Sequence, residues 1–451
     1  MTETPSWQRF ASTEKHCQKF FPPKRSPADP AEPPPADPAE PIAYTIEKYP
    51  DPPAADPAPP WRSFLSPAAL PDSWKNEAWE RWLKLRMLAD TASRYERARS
   101  RADSFLLPAG AGSERLVLAV NAALSLRRPL LLTGQPGSGK TTLAYVLARW
   151  LGLGPVLEWS VSPGATLADA LVTYDPLARL QDLEIARQGA ALQAAPPQTA
   201  AEPAQNPSAG SGLPQSRPVE DYLRLGPVGT AFLPLHLPRV LLIDEIDKGD
   251  LNLANELLHL FEEGKFPIAE LQRNQLLQRQ GPQGDRATEA SADPTVSPRQ
   301  IATADLDANG DPMAVTVYGA EVQCCAFPLV VMTSNGERDF PPAFNRRCLR
   351  VTMPDFSADP ASLQAIVGSH WRRSPAHLQA ALDGFEQDNR AAKEQDDGLA
   401  LDQLLNLAHM LDLNAAQPSM ALVEELRRVL LQPLRSEPPS APEPGGGLMS
   451  S

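Results

Sequence analysis

Gly134-Gln135-Pro136-Gly137-Ser138-Gly139-Lys140-Thr141-Thr142 follows the apolar run Pro129–Thr133 and leads into Leu143–Leu151, where apolar residues recur at helical spacing. A glycine-rich loop between a predicted strand and a predicted helix is the context a phosphate-binding loop needs. The glycines let backbone N–H groups converge on phosphate oxygens with no Cβ in the way, and the helix start adds partial positive charge. In such a loop Lys140 reaches the β- and γ-phosphates, and the Thr141 hydroxyl goes to Mg2+.

Working outward, the next informative stretch is Arg239-Val240-Leu241-Leu242-Ile243-Asp244-Glu245-Ile246-Asp247-Lys248. Unbroken apolar character is expected of a central parallel strand buried on both faces. The carboxyl end of such a strand is where an open α/β sheet presents ligands. Asp244 there can hold Mg2+ through water, and Glu245 can polarise an attacking water. A second apolar strand, Phe327–Thr333, runs into Ser334-Asn335-Gly336, and Asn335 could orient that water or meet the γ-phosphate; Asn-Gly is otherwise a plain turn. Arg346 and Arg347 precede the last apolar strand. They read either as a solvated basic turn or as a finger aimed at a nucleotide in an adjacent subunit.

The flanks set the domain organisation. Residues 1–70 are rich in Pro, Ala, Asp and Glu, and 50 prolines in 451 residues is about twice the usual share. Such a segment buries too little apolar surface to offset ordering entropy, so a disordered tail is expected. Residues 71–105 read as one amphipathic helix, with Trp74, Ala78, Trp82, Leu85 and Leu88 on one face and Asp72 or Ser73 as cap. The α/β core spans 106–356. Within it, 190–218 and 270–312 are expected to be low-complexity insertions, Leu167–Arg187 a helix, and Ala314–Tyr318 with Glu321–Ala326 a hairpin. A small helical domain covers 357–435, and 436–451 is a Pro/Gly/Ser tail.

Forty-two Lys and Arg against 55 Asp and Glu give a net charge of −13, which argues against a nucleic-acid or membrane-surface binder. Four cysteines without CxxC spacing favour reduced thiols. Met1–Lys15 has no apolar h-region and no run of 18 apolar residues occurs, so a cytoplasmic chain is expected.

The order glycine-rich loop, Asp-Glu strand end, Asn strand end, arginine pair and helical domain resembles the AAA+ ATPases, and within them the MoxR-like branch. Gly134–Thr142 stand as Walker A, Leu241–Glu245 as Walker B and Thr333-Ser334-Asn335 as sensor 1; Gly226-Pro227 and Phe340–Cys348 also fit that branch. The resemblance implies a P-loop core with a five-stranded parallel sheet, a helical lid, and a hexameric ring that hydrolyses ATP with Mg2+. Arg347, or Arg346, would reach the nucleotide from the next subunit; Arg347 fits the finger position better, and Arg346 replaces the usual acid before it. The hairpin would be an insertion used for partner contact. Relatives act as chaperone-like remodelling ATPases, often on partners with von Willebrand factor A domains. A sensor 2 arginine would stand at the start of the last lid helix, which here reads Ser419-Met420-Ala421, with Arg427 and Arg428 beyond. The alternative is an ATP-dependent assembly switch or scaffold with little turnover that recruits an effector.

Overall fold

The computed structural model describes residues 59–62, 64–66, 69–107, 111–193, 217–280, 298–355, 360–370, 382, 384–389, 399–413 and 420–431. The expectations for most of 1–70, for 194–216, for 281–297 and for the tail from 436 lie outside these residues.

In chain order the elements are α1 (Asp72–Thr91), α2 (Glu96–Ser104), α3 (Ala111–Leu126), β1 (Leu130–Thr133), α4 (Lys140–Leu151), β2 (Leu157–Ser160), α5 (Leu167–Leu171), β3 (Val172–Tyr174), α6 (Pro176–Gln193), β4 (Leu223–Leu225), α7 (Pro227–Ala231) and β5 (Val240–Asp244). They continue with α8 (Leu251–Glu263), β6 (Lys265–Pro267), α9 (Ala269–Gln280), β7 (Pro298–Leu306), β8 (Pro312–Tyr318), β9 (Glu321–Gln323), β10 (Leu329–Ser334), α10 (Pro342–Arg347) and β11 (Leu349–Thr352). The lid contributes α11 (Pro360–His370), α12 (Leu401–Leu413) and α13 (Met420–Leu430).

Five parallel strands form the central sheet in the order β11-β1-β10-β5-β2. Burial explains the order. Strands β1, β10 and β5 are apolar almost without interruption and are covered on both faces, whereas β2 and β11 alternate, as edge strands should. Leu130, Leu132, Val240, Leu242, Leu329 and Val331 pack under α3 and α4. Leu131, Leu241, Ile243, Val330 and Met332 face the other way, onto α7, α8 and the smaller sheets. In α3 the buried Leu116, Val120 and Ala123 form the inner stripe that its spacing predicts. The lid has its own core of Leu363, Val367, Leu382, Phe385, Leu404, Leu407 and Leu411.

Five expectations are corrected here. The helix read across 71–105 is two helices. Ala92 turns extended, and Arg99 Nη1 donates to the carbonyls of Ala89 (3.0 Å) and Ala92 (2.8 Å) at the break. Pro71 rather than Asp72 or Ser73 occupies the cap position, with no side-chain cap bond. The helix read across 167–187 is interrupted by β3, which pairs antiparallel with β4. The hairpin read around Gly319-Ala320 pairs differently: β8 returns along β7, and β9 pairs with β6. Residues 270–312 are thus not wholly an insertion, since they hold most of α9 and all of β7. The turn between β7 and β8 is built by Asp307, whose Oδ1 accepts the N–H groups of Asn309, Gly310 and Asp311 at 2.9, 2.9 and 3.0 Å.

The hairpin is fastened by a buried ionic group. Asp305 on β7 accepts from Arg239 Nη1 (2.9 Å) and Nη2 (2.8 Å), just ahead of β5, and from Arg81 Nη2 (2.7 Å) on α1. Burial alone would raise the Asp305 carboxyl, but Arg239 and then Arg81 pull it below its ordinary value.

Candidate functional site

The glycine-rich loop turns out of β1 into α4 at the carboxyl edge of the sheet. Gly137 (φ 74°) and Gly139 (φ 86°) take left-handed backbone, which a side chain would strain. Lys140 folds back over the loop, and its Nζ donates to the carbonyls of Gly134 and Gln135, both at 2.8 Å. Burial lowers the Lys140 pKa, partly offset by Asp247, Asp244 and Glu245.

Beside the loop, β5 and β10 bring their ends together. Thr141 Oγ1 donates to Asp244 Oδ1 (3.0 Å), and Thr333 Oγ1 donates to the same oxygen from the other side (2.5 Å). The Glu245 N–H donates to Thr333 Oγ1 (2.9 Å). Glu245 itself is left-handed (φ 56°), a conformation that costs a non-glycine residue on the order of 1 kcal/mol and that clusters at functional sites. Lys248 Nζ donates to Glu245 Oε2 at 2.6 Å. Below them, buried Asp247 accepts from Ser334 Oγ (3.0 Å) and from the N–H groups of Asn335 (2.9 Å) and Glu337 (3.2 Å). Asp247 thereby fixes the turn that presents Asn335.

These residues line a cleft of about 630 Å3 between core and lid. Gly137, Ser138, Lys140, Thr141, Asp244, Glu245, Thr333 and Asn335 form its floor. Phe105 and Leu106, following α2, form one wall, and Ile366, Leu401, Asp402 and Leu405 of the lid form the other. Phe105 lies against the loop, 3.3 Å from where a Cβ on Gly139 would be. A second cavity of about 280 Å3 lies between α1, α2 and α4 and is rich in arginine. Several of these arginines have structural tasks: Arg149 pairs with Asp90 and Asp103, Arg99 caps α1, and Arg86 and Arg101 lie over the rings of Trp82 and Tyr145.

The donor set fits a nucleoside phosphate with a hard cation. The loop offers a side-chain-free cradle and an ammonium, and the buried Ser138 Oγ has no partner among the described residues. Thr141 and Asp244 would offer a hydroxyl and a carboxylate, the hard oxygen groups that suit Mg2+, held 3.0 Å apart.

The arginine pair stands apart from this cleft. Arg347 forms an ion pair with Glu262 on α8, and its Nη1 reaches the Ala343 carbonyl at 3.4 Å. Arg346 is exposed, and its carbonyl accepts from Arg128 (3.1 Å). Among the described residues, the lid segment that faces the loop is the start of α12. Arg427 on α13 turns inward to Asp388 (2.8 Å). Thr333, Asp247 and Lys248 are additional members of the site. Thr333 already stood in a quoted motif, but its task depends on the β5–β10 pairing.

Residues 129–303 match the family described as AAA domain (dynein-related subfamily). The chain carries an AAA domain. Its fold is the AAA+ P-loop fold, with the five-stranded parallel sheet expected for it. Solved structures similar to this chain include the Thermotoga maritima RuvB Holliday junction branch migration motor, at 16% identity over 70% of this chain and 67% of that one, TM-score 0.29. Others are C. elegans PCH-2 (14%, 74% and 72%, TM-score 0.34) and the FIGL-1 AAA domain in complex with ADP (14%, 78% and 86%, TM-score 0.28). Likeness at that level adds nothing to the assignment of the domain. No described helix is long and apolar enough to cross a membrane.

Proposed function

We propose that this AAA chain is a MoxR-like ATPase that binds and hydrolyses ATP with Mg2+ as a ring oligomer, and so remodels or activates a protein partner. The observation that carries the reading is the cluster Thr141–Asp244–Thr333–Glu245 beside the glycine loop. A cation-holding pair and a separate carboxylate meet there at the floor of one cleft. Thr141 and Asp244 would hold Mg2+, which supplies charge neutralisation at the phosphates when bound. Lys140 and the loop N–H groups bind and orient the phosphates, Glu245 takes the proton of the attacking water, and Asn335 positions that water. Arg347, with Arg346 beside it, serves the neighbouring subunit's cleft. The β7–β8 hairpin ahead of β10 and the Gly226-Pro227 start of α7 support the MoxR-like reading. A separate cytoplasmic protein bearing a von Willebrand factor A domain is the partner class we put forward.

A second reading, an ATP-dependent assembly switch with little turnover, is favoured by one contact. Lys248 occupies Glu245, and a carboxylate so engaged is a poorer base. Steady-state ATP hydrolysis over a range of protein concentrations, with light scattering on the same samples, separates the two. A specific rate that climbs with assembly is the expected result. A flat, negligible rate despite ATP-driven assembly would leave the switch standing.

A further inference from the structure

Helix α12 opens on Leu401-Asp402, and its first turn closes the lid wall of the cleft. A Cβ built on Gly137 would lie 2.7 Å from Asp402 Oδ1 and 2.9 Å from Ala400 Cβ. The carboxylate of a lid residue thus rests against the backbone of the phosphate loop. The lid brings no lysine or arginine to the cleft among the described residues; Ile366, Leu401 and Leu405 are the other lid residues there. A loop rich in N–H donors and backed by an ammonium attracts anions, and here the nearest lid anion belongs to the protein itself.

We propose that Asp402 is an autoinhibitory acid. With the lid shut, its charge opposes the entry of a nucleoside polyphosphate, so binding must be accompanied by movement of α12 away from Gly137. The inference rests on the reading of the loop as a nucleotide site and concerns how that site is regulated. Its opposition grows with ligand charge, so a triphosphate is penalised more than a diphosphate. At a few ångströms in a wet cleft, each additional like charge is worth roughly a fivefold change in affinity. An acid in the first turn of a helix also steadies that helix, and this role has to be separated from the proposed one.

The test is the binding of Mg-ATP and Mg-ADP to the full chain, wild type against Asp402→Asn and Asp402→Glu, at low and high salt, with thermal melts alongside. Asparagine keeps the shape and the helix-capping ability and removes the charge. Expected for Asp402→Asn is ATP affinity raised about five- to tenfold, with a smaller gain for ADP and a gap that narrows as salt is added. Asp402→Glu should retain wild-type preference. Unchanged or weaker ATP binding by a folded Asp402→Asn chain overturns the inference while leaving the nucleotide site intact. If the asparagine variant does not fold, the wild-type ratio of ATP to ADP affinity still decides: it should shift toward ATP with salt, and a salt-independent ratio overturns the inference. A folded wild-type chain that binds neither nucleotide, and so cannot be told from Lys140→Ala, removes the site reading and this inference together.

Discussion

Lys140 holds the loop in shape by bonding two of its carbonyls, and the same ammonium is the group a phosphate would claim. Lys140→Ala should therefore abolish nucleotide binding, a loss of about a hundredfold or more from a charged hydrogen-bonding group, read by calorimetric titration. Burial lowers its pKa below 10.5, so as the pH climbs the ammonium is more than half deprotonated by pH 10.5. Nucleotide affinity should fall over that alkaline range, and affinity unchanged up to pH 10.5 would contradict the assignment. Glu245→Gln should keep binding and lower turnover by about 10²–10⁴, the usual worth of a general base. Hydrolysis by that variant at the wild-type rate would sink the catalytic assignment. The placement of the loop, Asp244 and Glu245 at one strand edge was legible in the sequence because each position follows from neighbours along the chain. Thr333 bridging Asp244 to the Glu245 N–H was not, since that meeting exists only once β10 lies beside β5. Asp402 was hidden for the same reason: its place at Gly137 is set by the packing of the lid.

At the scale of elements, the unbroken apolar runs gave β1, β5 and β10 away, and the half-apolar edges were harder to read. Strand β7 was missed altogether. Its sequence Pro-Arg-Gln-Ile-Ala-Thr-Ala-Asp-Leu hides two charged residues that the fold buries, Arg299 and Asp305. No local rule reveals that Asp305 will find Arg81 on α1 and Arg239 beside β5. The break between α1 and α2 was equally silent, because no glycine or proline marks it. The ionic group gives a stability prediction. Asp305→Asn leaves two buried arginines short of a counter-charge and should cost about 3–5 kcal/mol, measured by denaturant unfolding. Since the folded Asp305 pKa is depressed, its contribution is present above the ordinary value of 3.8 and is lost as the pH falls through the lower folded value. Stability that is flat from neutral pH down to about 4 and then drops is the expected profile, with the drop blunted in Asp305→Asn.

For the whole molecule, the finger role proposed for Arg347 bears on whether one chain is a complete enzyme. The residue lies outside its own cleft and is paired with Glu262. As a finger for a neighbour it would be worth about 10³–10⁵ in rate. Arg347→Ala should lower turnover by that order while leaving nucleotide binding by single subunits unchanged, and equal rates in the two proteins would return the pair to a surface role. The sheet carries another consequence, one that concerns synthesis. Strand β10 lies between β1 and β5, and Leu130 sits beside Val331, about two hundred positions later in the chain. Until residues 329–334 have left the ribosome, β1 and β5 each lack the strand that lies between them in the native sheet. An emerging chain therefore carries an unpaired, mostly apolar edge on β1 for about two hundred residues of synthesis and another on β5 for about ninety, open to wrong pairings that only the late strand can close.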